Sequence, residues 1–221
     1  MEKKEVIVDT CFLHKLSADG KNPDNIKKIL QELEYIPVAH PYMAQHEFAL
    51  HSYLQAMVDE GYIRVIPYEQ FLEDDYTRTY YEQMFPIIHE DLRRALEVSG
   101  KKKRICPLQL KSSETIYNKH MSGSSMGDVH LIMMAAYLQL PIVLTQDNDL
   151  DVLRDIASRR MSLGPYRLQI YDGVDLINQI ARNPLCAISK KELEMILNQM
   201  GERTHRSELT QSWYEGHPDN P

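Results

Sequence analysis

Pro141-Ile142-Val143-Leu144-Thr145-Gln146-Asp147-Asn148-Asp149-Leu150 is the stretch on which the fold class turns. Its apolar run is rich in β-branched residues, lacks polar alternation, and is bounded by a proline and a polar turn. Such a run predicts a short strand buried on both faces, as in a parallel sheet. Residues 126–140 before it and 150–161 after it carry apolar side chains at helical spacing. The same alternation continues outward. Glu5-Val6-Ile7-Val8-Asp9 predicts another buried strand, and residues 12–16 a helical turn. Pro23-Asp24-Asn25 opens an amphipathic helix, with Ile26, Ile29, Leu30 and Leu33 on one face. Tyr35-Ile36-Pro37-Val38-Ala39 predicts a weaker strand, its proline favouring an edge or a strand start. From Pro41, apolar residues recur at Met43, Phe48, Leu50, Leu54 and Val58 until Gly61, which predicts one helix. A short extended piece at 63–66, a strand at 167–171 and a helix at 174–181 follow the same pattern. Ser189, with Glu192 three residues on, caps a last helix. Strands alternating with helices predict an α/β fold: a three-layer α/β/α sandwich around a central parallel sheet.

Residues 69–121 interrupt this order. They read as helical, without a strand, and form a helical insertion between two strand–helix blocks. Their charge is segregated: acids dominate 69–91, and basic residues dominate 92–120. Two readings stay open here, a pair of solvated helices with a basic turn, or a basic lip that holds a polyanion. Lys101, Lys102, Lys103 and Arg104 would form that lip. The expected organisation is one α/β unit over 1–185, insertion included, followed by a C-terminal helix and tail over 186–221.

The chain has 221 residues, 43% of them hydrophobic and 26% charged, too apolar for intrinsic disorder. No apolar run approaches the roughly 20 residues needed to span a bilayer, so no membrane association is expected. The start of the chain does not read as a signal peptide. Three widely spaced cysteines, Cys11, Cys106 and Cys186, argue against a disulfide framework and suit the cytoplasm. A formal charge of −7 argues against nucleic-acid binding by the whole surface, not by a local patch.

The acids at strand and helix ends carry the chemistry. In an open parallel sheet, ligands bind beyond the carboxyl ends of the strands, where the strand order reverses. Asp9 ends the first strand, Asp147 lies just past the strongest one, and Asp128 opens the helix that leads into it. Each acid alone has a plain explanation as a cap or a solvated end. Three at one sheet edge repel unless a cation compensates them, and oxygen donors suit Mg²⁺ or Mn²⁺.

Val6-Ile7-Val8-Asp9-Thr10 with Phe12-Leu13 resembles the opening of PIN domains, the nuclease fold named after the PilT N-terminus. Gln45-His46-Glu47-Phe48 is similar to the family's second acidic position. Gly127-Asp128-Val129-His130-Leu131-Ile132-Met133-Met134-Ala135-Ala136 is similar to its third, and Leu144-Thr145-Gln146-Asp147-Asn148-Asp149-Leu150 to its closing motif. The resemblance covers residues 1–66 and 122–181, and it departs from the family's compact toxins in the long insertion. It implies a PIN-like, Rossmann-like fold and metal-dependent hydrolysis of RNA phosphodiesters. Asp9, Glu47, Asp128 and Asp147 would then bind Mg²⁺ or Mn²⁺ and activate water. Asp149 is either a further metal ligand or a helix cap. Thr10 and Thr145 would orient the carboxylates.

Other residues read more simply. His51, four residues after Glu47, reads as a surface neighbour on one helical face. His130 points away from Asp128, and the paired methionines read as core fillers. Trp213 and Tyr214 would pack on the body or on a second subunit, so a homodimer is one expectation. An RNA substrate is another, and a protein partner such as an antitoxin a third. The alternative is an inert PIN-fold scaffold that binds RNA or protein. A structure-specific DNA nuclease and an aspartyl phosphatase are lesser options; the phosphatase lacks its Asp-x-Asp signature at Asp9-Thr10-Cys11.

Overall fold

The computed structural model describes residues 3–99, 105–121, 123–161 and 165–218. Five strands form one all-parallel sheet: β1 (Lys4–Val8), β2 (Tyr35–Ala39), β3 (Arg64–Val65), β4 (Ile142–Leu144) and β5 (Gln169–Tyr171). Their spatial order is β3-β2-β1-β4-β5. The chain therefore steps one way from β1 to β3 and the other way from β4 to β5. The reversal falls between β1 and β4, where Ile7 lies opposite Val143 and Val8 opposite Leu144.

Helices follow each strand. The first half carries α1 (Thr10–Leu16), α2 (Asp24–Glu32), α3 (Pro41–His46) and α4 (Ser52–Asp59). The long α5 (Asp75–Val98) and α6 (Met126–Leu138) precede β4. Then come α7 (Asp149–Met161), α8 (Gly173–Ala181), α9 (Lys190–Gln199) and α10 (Arg206–Gly216). The helices sort into two packed groups. α1, α2 and α8 touch one another, and α5, α6 and α7 touch one another. This is consistent with a three-layer α/β/α sandwich. Among the described residues no helix is long and apolar enough to cross a membrane.

The helix α6 explains the insertion. Its segment Met126-Gly127-Asp128-Val129-His130-Leu131-Ile132-Met133-Met134-Ala135-Ala136 is buried almost throughout, so it needs cover on the side away from the sheet. α5 supplies it with a stripe of buried residues, Tyr81, Phe85, Ile88, Leu92 and Leu96, at spacings of three and four. The insertion is thus not a pair of solvated helices. Nor is it helical to its end, because residues 105–121 hold no helix and only turns. Tertiary packing on α6 selects the half that carries the apolar stripe.

Three further expectations need correction. The helix expected from Pro41 to Gly61 breaks at Glu47, where φ is −120° and ψ −53°, and resumes at Ser52 after a 3₁₀ turn. A continuous helix sets neighbours about 100° apart. The break lets Phe48 be fully buried while Glu47 turns toward the sheet edge. β2 is not an edge strand. Pro37 is tolerated because β3 pairs only with Val38 and Ala39, leaving no ladder partner on that side of the proline. The C-terminal segment holds two helices, and α10 packs on α8, where Asn178 donates to Glu208 at 2.8 Å.

A buried polar chain ties α5 to the core. His40 Nδ1 accepts the Tyr42 amide N–H at 3.0 Å, which leaves its proton on Nε2, 3.3 Å from the Tyr81 hydroxyl. Tyr81 donates in turn to His130 Nδ1 at 2.6 Å, and His130 Nε2 donates to the Ile116 carbonyl at 3.0 Å. All three side chains are buried. Burial, reinforced for His40 by the neighbouring His130, keeps both imidazoles neutral; His40 lies well below the ordinary range and His130 is pushed down to about 3. Their stabilisation is therefore complete above about pH 6.5 and is lost as pH falls toward 3. Tyr81→Phe leaves two imidazole nitrogens buried without partners. The expected cost is about 1–3 kcal/mol for each, read as a lower denaturant midpoint at pH 7.5.

Candidate functional site

Asp9 is the residue at which β1 becomes α1. Its backbone is extended and its amide N–H donates to the Leu144 carbonyl at 3.0 Å, so it still belongs to the sheet edge beside β4. Its carboxylate is 4% exposed and held through one oxygen. Oδ2 accepts from the Thr145 hydroxyl at 2.7 Å and from the Cys11 thiol at 2.6 Å. Thr145 Oγ1 accepts the Asp147 amide at 3.0 Å, and Asp147 Oδ1 accepts the Asp149 amide at 2.9 Å. One chain of hydrogen bonds thus runs from the end of β1, across β4, into the start of α7.

Cys11 is the site residue that sequence reasoning missed. Its Sγ also accepts the Gln146 amide at 3.2 Å and lies 3.3 Å from Thr145 Oγ1. Burial first, then the Asp9 charge, push its thiol far above the ordinary range, so it stays protonated and donates. The available signal was positional: Cys11 stands two residues after Asp9 in the first turn of α1. Thr145, expected to orient a carboxylate, donates directly to Asp9. Asp149 is the first residue of α7 and buried, not its cap; Asp147 is the residue whose side chain accepts the helix-start N–H.

Glu47 reaches the same place from the break after α3. Burial first, then the charges of Asp9 and Asp128, push its carboxyl up to about 7. The buried Thr10 hydroxyl faces it and pulls the other way, short of full hydrogen-bond geometry. Asp9 is raised as well, chiefly by burial and partly by Asp147, with the Cys11 and Thr145 hydrogen bonds opposing. Asp128 stands in the first turn of α6, where unpaired N–H groups favour negative charge. The chain enters that helix through Ser125 in a left-handed conformation, φ 54°. Gly127 permits the approach, since a Cβ there would lie 2.7 Å from Glu47 Oε1 and 2.7 Å from Met43 Sδ.

Asp9, Glu47, Asp128 and Asp147 are therefore within electrostatic reach of one another at the point where the strand order reverses. They are not drawn together as ligands. Among the described residues no three His, Cys, Asp or Glu side chains are close enough to hold a metal ion as they stand. The physical reason is visible at Asp9 and Asp147, each of which has a carboxylate oxygen committed to a protein donor. The chemistry still fits a hard cation: all are oxygen donors, and burial and neighbouring charge oppose the ionisation of Asp9 and Glu47.

Lys101, Lys102, Lys103 and Arg104 lie outside the described residues. Of the insertion's other basic residues, Arg93 and Arg94 pair with Glu90, Arg93 also with Glu97, and Lys119 with Glu114. His51 immediately precedes α4 and meets the rings of His14 and Tyr53.

A carboxyl raised to about 7 stabilises the fold while it is protonated, and that contribution is lost as pH rises through 7. Glu47→Gln removes the penalty. In EDTA its melting temperature should exceed that of the unaltered protein at pH 8, by the equivalent of up to about 3 kcal/mol, and match it at pH 4.5. Thermal unfolding at the two pH values measures the difference. No family model matches the chain, and neither a curated protein nor a solved structure does.

Proposed function

We propose that this chain is a metal-dependent endoribonuclease of the PIN type, with Asp9, Glu47, Asp128 and Asp147 as its working residues. The observation that carries the reading is the position of Glu47. Its carboxyl feels the charges of both Asp9 and Asp128 and is pushed up to about 7, near the crevice where such sheets bind ligands. Buried carboxyls that resist ionisation, as Asp9 and Glu47 do, are what a site kept for chemistry is expected to hold.

Asp9, Asp128 and Asp147 would hold one or two Mg²⁺ or Mn²⁺ ions, with Asp149 beside them. Such a cation neutralises phosphate charge and lowers the pKa of its water. Thr145 and Cys11 fix the rotamer of Asp9 by holding Oδ2, so that Oδ1 is aimed by the protein. Glu47, titrating near neutral pH, is matched to taking a proton from an attacking water. Thr10 lies against it and fixes its approach. Gly127 keeps the α6 backbone close to Glu47, so Gly127→Ala should displace the carboxyl while leaving the fold intact.

The inert-scaffold reading draws on a different observation, that the carboxylates are bound to protein donors and not gathered as ligands. Activity separates the two. Purified protein should cleave single-stranded RNA in Mn²⁺ or Mg²⁺ and not in EDTA. Asp9→Asn, Asp128→Asn and Asp147→Asn should each lower the rate by at least about 100-fold, the lower end of the range for general acid–base groups, with melting temperatures unchanged or raised. Undiminished cleavage by Asp128→Asn would remove that residue from the site. Absence of metal-dependent cleavage would favour the scaffold.

A further inference from the structure

Next to the acids is a cleft of about 330 Å³ whose walls include Glu47 and Asp128 on one side and Leu50 and His120 on another. That volume is at the small end of ligand sites, about 300–1,000 Å³, and suits one flat group. Its aromatic wall is layered. The buried Tyr42 ring meets His46 at 4.5 Å between centroids, and His46 stacks on His120 at 5.3 Å with 12° between the planes. His120 is the exposed outer member of this ladder. Leu50 is 74% exposed at the same cleft, although it follows the fully buried Phe48 by only two residues. Neither residue is explained by the core.

We propose that this cleft is a nucleobase subsite, in which one unpaired base of a single-stranded nucleic acid stacks on His120 and against Leu50. The inference rests on the nuclease reading of Glu47 and Asp128, and it adds the element that reading lacks, a means of presenting the strand. A base has a π-face whatever its identity, so stacking holds any sequence. Base pairing would keep that face from the ring, which makes single strands the preferred substrate. The chain's net charge of −7 cannot attract a phosphate backbone by itself, so base stacking would supply affinity that bulk electrostatics does not.

The test uses the full chain and short single-stranded RNA and DNA oligonucleotides, with 2-aminopurine placed at each position in turn. Affinity is read by anisotropy and stacking by fluorescence quenching, in EDTA so that nothing is cut. One position should be quenched. His120→Ala should weaken binding about 5- to 100-fold, the range for loss of one stacked base, and abolish that quenching; His120→Phe should restore both. An abasic nucleotide at the quenched position should make His120→Ala and the unaltered protein bind alike. Equal affinity and quenching for His120→Ala and the unaltered protein would overturn the subsite, as would failure of both oligonucleotides to bind, which would point to a protein contact instead. Cleavage in Mn²⁺, run in parallel, separates the two claims. His120-dependent binding without cleavage removes the nuclease reading alone, and cleavage indifferent to His120 removes the subsite alone. Comparison of the RNA and DNA arms identifies the sugar.

Discussion

The pairing of β1 with β4 is the constraint from which the rest of the molecule follows. Asp9 and Thr145 are 136 residues apart, yet the ladder brings the Thr145 hydroxyl to 2.7 Å from the Asp9 carboxylate. Closing so long a loop has an entropic cost that grows slowly with length, and buried apolar strands offset it. Val6, Ile7, Val8, Val143 and Leu144 are all fully buried. Once these two strands are neighbours, the chain runs away from them in opposite directions. At the crevice between their carboxyl ends, side chains from both halves meet.

That geometry sets a conflict the protein resolves locally. Burial favours neutral carboxyls, whereas a cation site needs charged ones. Here a threonine hydroxyl, a thiol and a backbone amide each take up part of the charge, and Glu47 carries the remainder as a raised pKa. Asp9 and Asp147 are thus held by the protein's own donors. The proposed cation would exchange for some of those donors, which makes Cys11 and Thr145 positioning residues for Asp9.

Much of this was legible from residues, and the failures have physical causes. The strands at 142–144 and 4–8 announced themselves because strands buried on both faces read as uninterrupted apolar runs. α6 was legible for the same reason. The helix break at Glu47 was not legible, because nothing local forbids a helix through Gln45-His46-Glu47-Phe48. The break comes from burying Phe48 while turning Glu47 to the edge, a tertiary demand. Pro37 misled for a similar reason, since its tolerance depends on β3 being only two residues long. Residues 105–121 carry polar and basic residues compatible with helix, yet they pack as turns, with Ile105 and Ile116 buried in the core. Cys11 was invisible because composition treats a lone cysteine as inert, and its role appears only once β4 lies beside it. That Asp9 and Asp147 accept hydrogen bonds from the protein's own donors belongs to the fold alone.

The most direct measurement of the central claim is Mn²⁺ binding followed by electron paramagnetic resonance of the free ion, at pH 6 and pH 8. The account predicts saturable binding at the acids, tighter at pH 8 because Glu47 must lose its proton. Asp9→Asn should weaken it strongly and Glu47→Gln should remove its pH dependence. A free-ion signal unaltered by millimolar protein at either pH, or binding indifferent to both substitutions, would contradict it.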